Sequence, residues 1–294
     1  NKKIIFAIIM LSTINFSSIA IAQTQEHVLA RKTMEFNTDV HLIEWFGSTE
    51  CDKCLQFENQ NFNDSHAWIN WFNSENDPIN NLAREDTNKR LNQLNTTDFP
   101  LLVIDGEIIN LSTRDDLSVW NKNLIDELNK PKNENILNVS IEIKIIDSTE
   151  DGLPNGIKLE GNITPLKDLH NETAIHIHII ENKDDPDGSG ARPYSSNVLK
   201  EWVPKMDFSV EKGNSTNWDY TLSESYLESA GIDLTSGDSN RYSMIFSVHG
   251  DERGNLSNMK VLAVNSTSLP SINEHKKWSD LPLILLANVI IFVG

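Results

Sequence analysis

Residues 40–54 read Val-His-Leu-Ile-Glu-Trp-Phe-Gly-Ser-Thr-Glu-Cys-Asp-Lys-Cys, and this stretch decides the fold that the sequence predicts. Its first half, 40–46, is rich in β-branched and aromatic side chains, which is typical of a buried strand. A short loop, 47–50, then leads to Cys51 and Cys54. Two cysteines separated by two residues, directly after a strand, indicate a redox pair at a strand-to-helix junction.

Cys51 and Cys54 are the only cysteines among the 294 residues. A bond between them closes too small a loop to stabilise the fold substantially. Two cysteines alone also fall short of the four ligands of a structural zinc site. Redox chemistry is therefore the favoured role, and neither a metal nor a cofactor is predicted. Delivery of copper(I) by the two thiolates is an alternative, although the methionines form no cluster that would support it.

The residues after Cys54 alternate between helical and extended patterns. The expected elements are an irregular helix after Cys54, a strand at 67–72, a polar helix that starts at Asp77-Pro78, a strand at 101–104, a return strand at 107–111 and a last helix that ends before Pro131. The Asp105-Gly106 pair between the two later strands is the strongest hairpin signal in the chain. Strands and helices in this order predict an α/β domain.

This order resembles the thioredoxin and protein disulfide isomerase superfamily. The features that carry the resemblance are the Cys51-x-x-Cys54 motif after a strand, the Phe99-Pro100 pair, and the Asp105-Gly106 hairpin with its closing helix. The resemblance implies a thioredoxin-like α/β domain over residues 34–132, about a third of the chain. It also implies that Pro100 is a cis-proline that faces the active site.

The two cysteines are expected to have different roles. Cys51, at the N-terminus of a helix, meets unpaired N–H groups that favour its thiolate, so it is predicted to be the attacking group. Cys54, one turn further in, is predicted to resolve the mixed disulfide. Lys53 would stabilise the thiolate while Glu50 and Asp52 would oppose it, which leaves the direction of electron transfer open.

Two further residues are candidates for the site. Glu44 lies near the position where the superfamily places a buried acid, and this resemblance implies a general base for Cys54. The alternative is that Glu44 occupies the solvated face of its strand. Pro100 is expected to leave a backbone edge open for a substrate strand, and a structural trans-proline is the alternative.

The pattern changes over residues 135–270, where turns rich in Gly, Asn and Asp separate the strands. Strands are expected at 137–146, 157–163, 174–180, 241–248 and 259–264. Their alternation and spacing favour an antiparallel, immunoglobulin-like β-sandwich. Segments 175–181, 196–204 and 256–264 resemble exported, outer-membrane-associated proteins that join a thioredoxin-like domain to such a sandwich. The predicted fold class is therefore an α/β thioredoxin-like domain followed by an all-β immunoglobulin-like sandwich.

His176 and His178 share one face of a predicted strand. Such a pair is able to chelate a metal if a third ligand lies nearby. A polar, solvated strand face is the favoured interpretation.

Both ends of the chain carry apolar segments. Residues 1–22 combine Lys2 and Lys3, an apolar stretch and a small-x-small site, which predicts a signal peptide; an uncut transmembrane helix is the alternative. Residues 281–294 are almost wholly apolar and are interpreted as the start of a C-terminal transmembrane anchor, with a hydrophobic strand or tail docked on the protein as the alternative. These segments predict an exported, membrane-anchored protein on the extracytoplasmic face.

The formal net charge of the chain is −18 at pH 7. Nucleic acid and anionic lipid headgroups repel such an acidic protein, so neither is an expected binding surface. The sequence predicts a membrane-tethered extracytoplasmic thiol-disulfide oxidoreductase that acts on the thiols and disulfides of exported proteins through Cys51 and Cys54. A cell-surface binding or structural protein with the same fold and no redox chemistry is the alternative.

Overall fold

The computed structural model of the chain describes residues 27–36, 40–59, 66–77, 82–130, 136–184, 195–235, 241–254 and 260–272. The elements in these ranges are, in order, β1 (His27–Glu35), β2 (Leu42–Phe46), α1 (Asp52–Glu58), β3 (Ala67–Asn70), α2 (Glu85–Leu94), β4 (Leu101–Ile104), β5 (Glu107–Ile109), α3 (Leu117–Leu128), β6 (Leu137–Asp147), β7 (Gly156–Pro165), β8 (Ala174–Asp184), β9 (Ser195–Asp207), β10 (Thr216–Leu222), α4 (Glu224–Ser229), β11 (Tyr242–His249) and β12 (Val261–Ser268). Strands therefore dominate the described part of the chain.

The strands form two sheets. The larger sheet has eight strands in the order β12-β11-β8-β9-β3-β2-β4-β5, and the smaller sheet has four strands in the order β1-β6-β7-β10. Neighbouring strands are antiparallel except for β2 with β3 and β3 with β9, which are parallel. The larger sheet thus draws its strands from both halves of the chain.

The two halves of the larger sheet meet where β3 pairs with β9. The backbone pair that joins them is Asn70 with Val198. The side chain of Asn70 is fully buried; its Nδ2 donates to the carbonyl oxygen of Ser196, and its Oδ1 accepts a hydrogen bond from Trp68 Nε1 at 2.5 Å. Because a buried amide is costly unless it is hydrogen-bonded, Asn70 favours this pairing over other arrangements of the two strands.

This topology overturns the expected fold class. The prediction of a thioredoxin-like α/β domain followed by a separate immunoglobulin-like sandwich is wrong, because β8, β9, β11 and β12 continue the sheet that β2 to β5 begin. The edge of β3 that a free-standing domain would leave open is occupied by β9. The expected resemblance to the thioredoxin superfamily is corrected with it, since the described chain is a mostly β structure built on two shared sheets.

The two sheets pack face to face through aliphatic side chains. In β6 the odd-numbered residues 137–145 are buried, whereas residues 138 and 140 are exposed. The buried residues share one apolar cluster with Ile175, Ile177 and Ile179 of β8. Since burial of an aliphatic side chain contributes roughly 1.5–3 kcal/mol, this cluster is a main source of stability.

Strand β2 is buried on both of its faces. Leu42 and Phe46 contact the apolar cluster on one face of the larger sheet, which also includes Leu91 of α2. Ile43 and Trp45 point to the other face, where they pack with Cys54 of α1 and Trp120 of α3. The alternation of side chains along β2 therefore separates the cysteine side of the sheet from the α2 side.

The predicted signal peptide, 1–22, and the predicted anchor, 281–294, both lie outside the described residues. Within the ranges given above, no helix is both long and apolar enough to cross a membrane. The expected membrane contact through a C-terminal segment is corrected accordingly, because nothing in the described part of the chain supports it.

Candidate functional site

Cys51 and Cys54 form a disulfide at the start of α1, with their Cα atoms 5.1 Å apart. Cys51 is the N-cap of the helix and is partly exposed, whereas Cys54 is 1% exposed. The backbone N–H of Cys54 donates a hydrogen bond of 3.1 Å to the sulfur of Cys51. The expected disulfide is confirmed, and its two sulfurs are inequivalent because solvent reaches Cys51 first.

The loop before Cys51 is held by the turn at residues 73–77. Thr49 donates its backbone N–H to the carbonyl oxygen of Asn76 at 2.9 Å and its hydroxyl to Asp77 Oδ1 at 3.2 Å. Asn76 in turn donates from Nδ2 to the carbonyl oxygen of Gly47 at 2.7 Å. These bonds fix the position of the cysteines relative to the ends of β2 and β3.

Trp45 packs in the apolar cluster beneath α1 that contains Cys54. Its ring centroid lies 4.6 Å from that of Phe57 and 5.8 Å from that of Trp120, and all three rings belong to the cluster that contains Cys54. The backbone of Gly47 lies so close to this indole that an added Cβ would fall 2.4 Å from Trp45 Nε1. Glycine at this position is therefore required by the close approach of the ring.

Replacement of Gly47 with alanine is expected to lower the free energy of unfolding by about 1–3 kcal/mol, because the new methyl group must displace a packed indole. Chemical denaturation of the oxidised protein measures the change. In a Trp45→Phe background the same replacement is expected to cost less, because phenylalanine lacks the Nε1 atom that the methyl group meets. An equal cost in both backgrounds would contradict this account.

Lys53 does not point its charge at the cysteines. Its Nζ donates to the carbonyl oxygens of Thr113 at 2.6 Å and Asp115 at 2.7 Å. The same atom lies 4.2 Å from the centroid of the Trp120 ring, in a cation–π contact. Lys53 thus links the segment before α3 to α1. It does not make the contact with the Cys51 thiolate that the sequence predicted.

Glu44 lies on the face of β2 opposite to Cys54. Its carboxylate accepts two hydrogen bonds from Arg90 of α2, at 2.7 Å from Nε and 2.6 Å from Nη2. Both side chains are almost completely buried, at 1% and 2% exposure. The structure therefore pairs Glu44 with Arg90 and does not bring it to the cysteines.

Pro100 lies at the cysteine end of the larger sheet. The Phe99–Pro100 peptide bond is cis. Leu101, the next residue, pairs with Phe46, the last residue of β2, so Pro100 lies at the same end of the sheet as the loop that leads to Cys51. Its role in presenting a backbone edge to a substrate stays a prediction.

Glu58 is a buried acid that the sequence analysis missed. It ends α1, four residues after Cys54, and is 5% exposed. Burial raises its pKa to about 8, although Ser195 and Trp45 lie close enough to lower it in part. At neutral pH the carboxyl group is therefore mostly protonated. The four-residue spacing was visible in the sequence, since residues at this spacing share one face of a helix.

His178 is buried and His176 is half-buried, in contrast to the expected solvated strand face. Their rings stack against Trp202 at centroid distances of 5.4 and 5.6 Å. Burial, with a smaller contribution from the positive charge of Arg90, lowers the pKa of His176 to about 3. Burial also lowers the pKa of His178 well below its usual value, with smaller contributions from His176 and then Arg90. Within the described ranges, no group of three His, Cys, Asp or Glu side chains is placed to hold a metal ion.

Comparison with known proteins adds little to this geometry. No protein-family model matches the chain, and no curated protein matches it. Solved structures that match include a GH3 β-glucosidase from Bifidobacterium adolescentis (16% identity, 39% of this chain and 15% of that chain, TM-score 0.20). Another is a mutant β-glucosidase from Listeria innocua in complex with laminaribiose (11% identity, 48% and 16%, TM-score 0.23). The chain spans less than a fifth of the length of these enzymes, and likeness at this level carries no inference about activity.

Proposed function

We propose that Cys51 and Cys54 catalyse thiol–disulfide exchange with exported proteins. The observation that carries the proposal is the inequivalence of the two sulfurs, one partly exposed at the helix start and the other 1% exposed. A buried sulfur reacts more readily with its neighbour three residues away than with a partner protein. The signal-like pattern of residues 1–22 supports an exported location.

The hydrogen bond at the site favours Cys51 as the group that reacts with the partner. The N–H of Cys54 points at the sulfur of Cys51, and a donor aimed at a sulfur stabilises its thiolate more than its thiol. Cys51 is thus the better leaving and attacking group, while Cys54 is protected from outside reagents. A two-cysteine exchange cycle requires one sulfur that reacts with the partner and a second that reacts only with the first.

The cycle balances in atoms and electrons. A substrate thiolate attacks Cys51, a bond forms between the two sulfurs, and the Cys51–Cys54 bond breaks with its electron pair on Cys54. A second thiolate of the substrate then attacks the first substrate sulfur and releases the thiolate of Cys51. The substrate loses two electrons and gains a disulfide, while the protein pair is reduced; the reverse sequence reduces a substrate disulfide.

The pH dependence of alkylation by iodoacetamide tests this proposal. In reduced protein carrying Cys54→Ser, the alkylation rate of Cys51 is expected to be half-maximal below pH ~8.5, the value for an unperturbed thiol. In the matched Cys51→Ser variant, Cys54 is expected to react far more slowly because it is buried. Slow alkylation of Cys51 with an unshifted midpoint would overturn the proposal and leave a binding or structural protein.

A further inference from the structure

Glu58 forms a small buried polar cluster with two other groups. The hydroxyl of Ser195, which is fully buried, and the indole N–H of Trp45 both lie next to its carboxyl group. Within the described residues, none of these polar atoms completes a hydrogen bond of regular geometry. Buried polar atoms without such bonds are uncommon, and a catalytic role or a bound water molecule is among the explanations for them.

Glu58 of this polar cluster lies on the same face of α1 as the buried Cys54 of the disulfide. Cys54 and Glu58 are four residues apart on α1, so their Cβ atoms are about 5–6 Å apart on one face of the helix. Both are buried, and Trp45, which contacts Glu58, also packs in the cluster that contains Cys54. This spacing allows proton transfer directly or through one water molecule.

We propose that Glu58 donates a proton to the sulfur of Cys54 when that sulfur leaves the disulfide, and that Ser195 positions the Glu58 carboxyl group. The inference rests on the proposed exchange at Cys51 and Cys54. It assigns to Glu58 the acid–base role that the sequence analysis gave to Glu44, which the structure instead pairs with Arg90.

The proton balance follows from the buried position of Cys54. Attack on Cys51 leaves a negative charge on a sulfur that is 1% exposed, where the charge is unfavourable. Transfer of the Glu58 proton gives a neutral thiol at Cys54 and moves the negative charge to the carboxylate. In the reverse reaction the Glu58 carboxylate removes the thiol proton of Cys54, which then attacks Cys51 and releases the substrate sulfur.

Ser195, which lies next to Glu58, belongs to the second half of the chain. It is the first residue of β9, the strand that pairs with β3, and the next residue, Ser196, donates its hydroxyl to Asn59 Oδ1 at 3.2 Å just beyond the end of α1. The elements packed against Glu58 thus contribute Ser195 and Trp45, both uncharged, to its surroundings. The hydroxyl of Ser195 favours the ionised carboxylate, so it sets how readily Glu58 gives up its proton.

Infrared difference spectroscopy of the full chain with ¹³C-labelled glutamate reads the state of Glu58 without relying on exchange. The expected result is a protonated carboxyl band at pH 7 that is absent in Glu58→Gln and disappears with a midpoint near the pKa of about 8. Reduction of the disulfide by dithiothreitol is expected to shift this midpoint. The thiol of Cys54 then also titrates, and the ionisation of one group changes the pKa of the other. A midpoint that is identical in both redox states would overturn the inference.

The rate of disulfide reduction by excess glutathione supplies the second measurement. Glu58→Gln is expected to slow this step about 100-fold at pH 7, whereas Glu75→Gln, which alters an exposed acid in the neighbouring 73–77 turn, leaves it unchanged. Ser195→Ala is expected to move the midpoint of the pH–rate profile upward. An unchanged rate in Glu58→Gln overturns this inference alone. Absence of any exchange in the unsubstituted protein overturns the proposed function and this inference with it.

Discussion

Replacement of Arg90 with methionine is expected to lower the free energy of unfolding by about 3–5 kcal/mol. The change removes the partner of Glu44 and leaves a carboxylate with 1% exposure between the apolar side chains of β2 and α2. A buried charge without its partner is unfavourable because neither water nor a counter-ion compensates for its desolvation. Urea denaturation of the oxidised protein at pH 7 measures the loss.

The adjacent residue on the same helix supplies the control for this prediction. Lys89 also forms an ion pair, with Asp86, but its side chain is 66% exposed. Lys89→Met is therefore expected to change the free energy of unfolding by less than about 1 kcal/mol. The double variant Glu44→Gln/Arg90→Met is expected to recover part of the loss, because it removes the unpaired charge. Equal losses of stability in Arg90→Met and Lys89→Met would contradict the conclusion that Glu44 and Arg90 form a buried ion pair.

Local patterns in the sequence predicted most of the elements. The strand at 101–104, the hairpin at Asp105-Gly106 and the helix that ends before Pro131 all lie where they were expected. Their signals are short in range: a run of β-branched residues, a dipeptide that favours positive φ, and apolar residues spaced along one helical face. Such features depend only on neighbours along the chain.

The arrangement of the sheets was not predictable in this way. The junction of the larger sheet depends on Asn70 and Val198, which are far apart in sequence, and no local pattern specifies which distant strand occupies an open edge. β1, β9, β10 and α4 were also missed, although β9 contains the whole of segment 196–204, which was used for the family resemblance. The resemblance therefore led to two separate domains where the chain builds a shared sheet.

In the candidate site, too, the features that depend on neighbours along the chain were predictable and those that depend on the fold were not. Cys51 and Cys54 are only three positions apart in sequence, so their pairing follows from the motif alone. The role of general base was given to Glu44 by resemblance. The alternative, that Glu44 occupies a solvated strand face, is wrong because a strand in the middle of a mixed sheet is buried on both faces. Glu58 had a usable signal in its spacing from Cys54, but its contact with Ser195 had none, because only the fold brings the two residues close.

The pH dependence of stability is the second large effect expected from this structure. In the folded, oxidised protein burial raises the pKa of Glu58 from 4.5 to about 8, so between these values the folded state holds a proton that the unfolded state has lost. Stability from this group is therefore complete below pH ~4.5, declines as the pH rises, and levels off above pH ~8. With about 1.4 kcal/mol for each pKa unit, the decline is at most roughly 5 kcal/mol.

Glu58→Gln is expected to abolish this decline, because glutamine keeps the shape of the side chain without an ionisable proton. The measurement is urea denaturation of both oxidised proteins from pH 5 to pH 9, with the curve of the variant subtracted from that of the unsubstituted protein. Subtraction cancels the contributions of His176, His178 and the other titrating groups that both proteins share. The variant is expected to gain several kcal/mol relative to the unsubstituted protein between pH 5 and pH 9. A difference that does not change with pH would show that the Glu58 carboxyl group reaches solvent in the folded protein, since only a desolvated acid resists ionisation over this range.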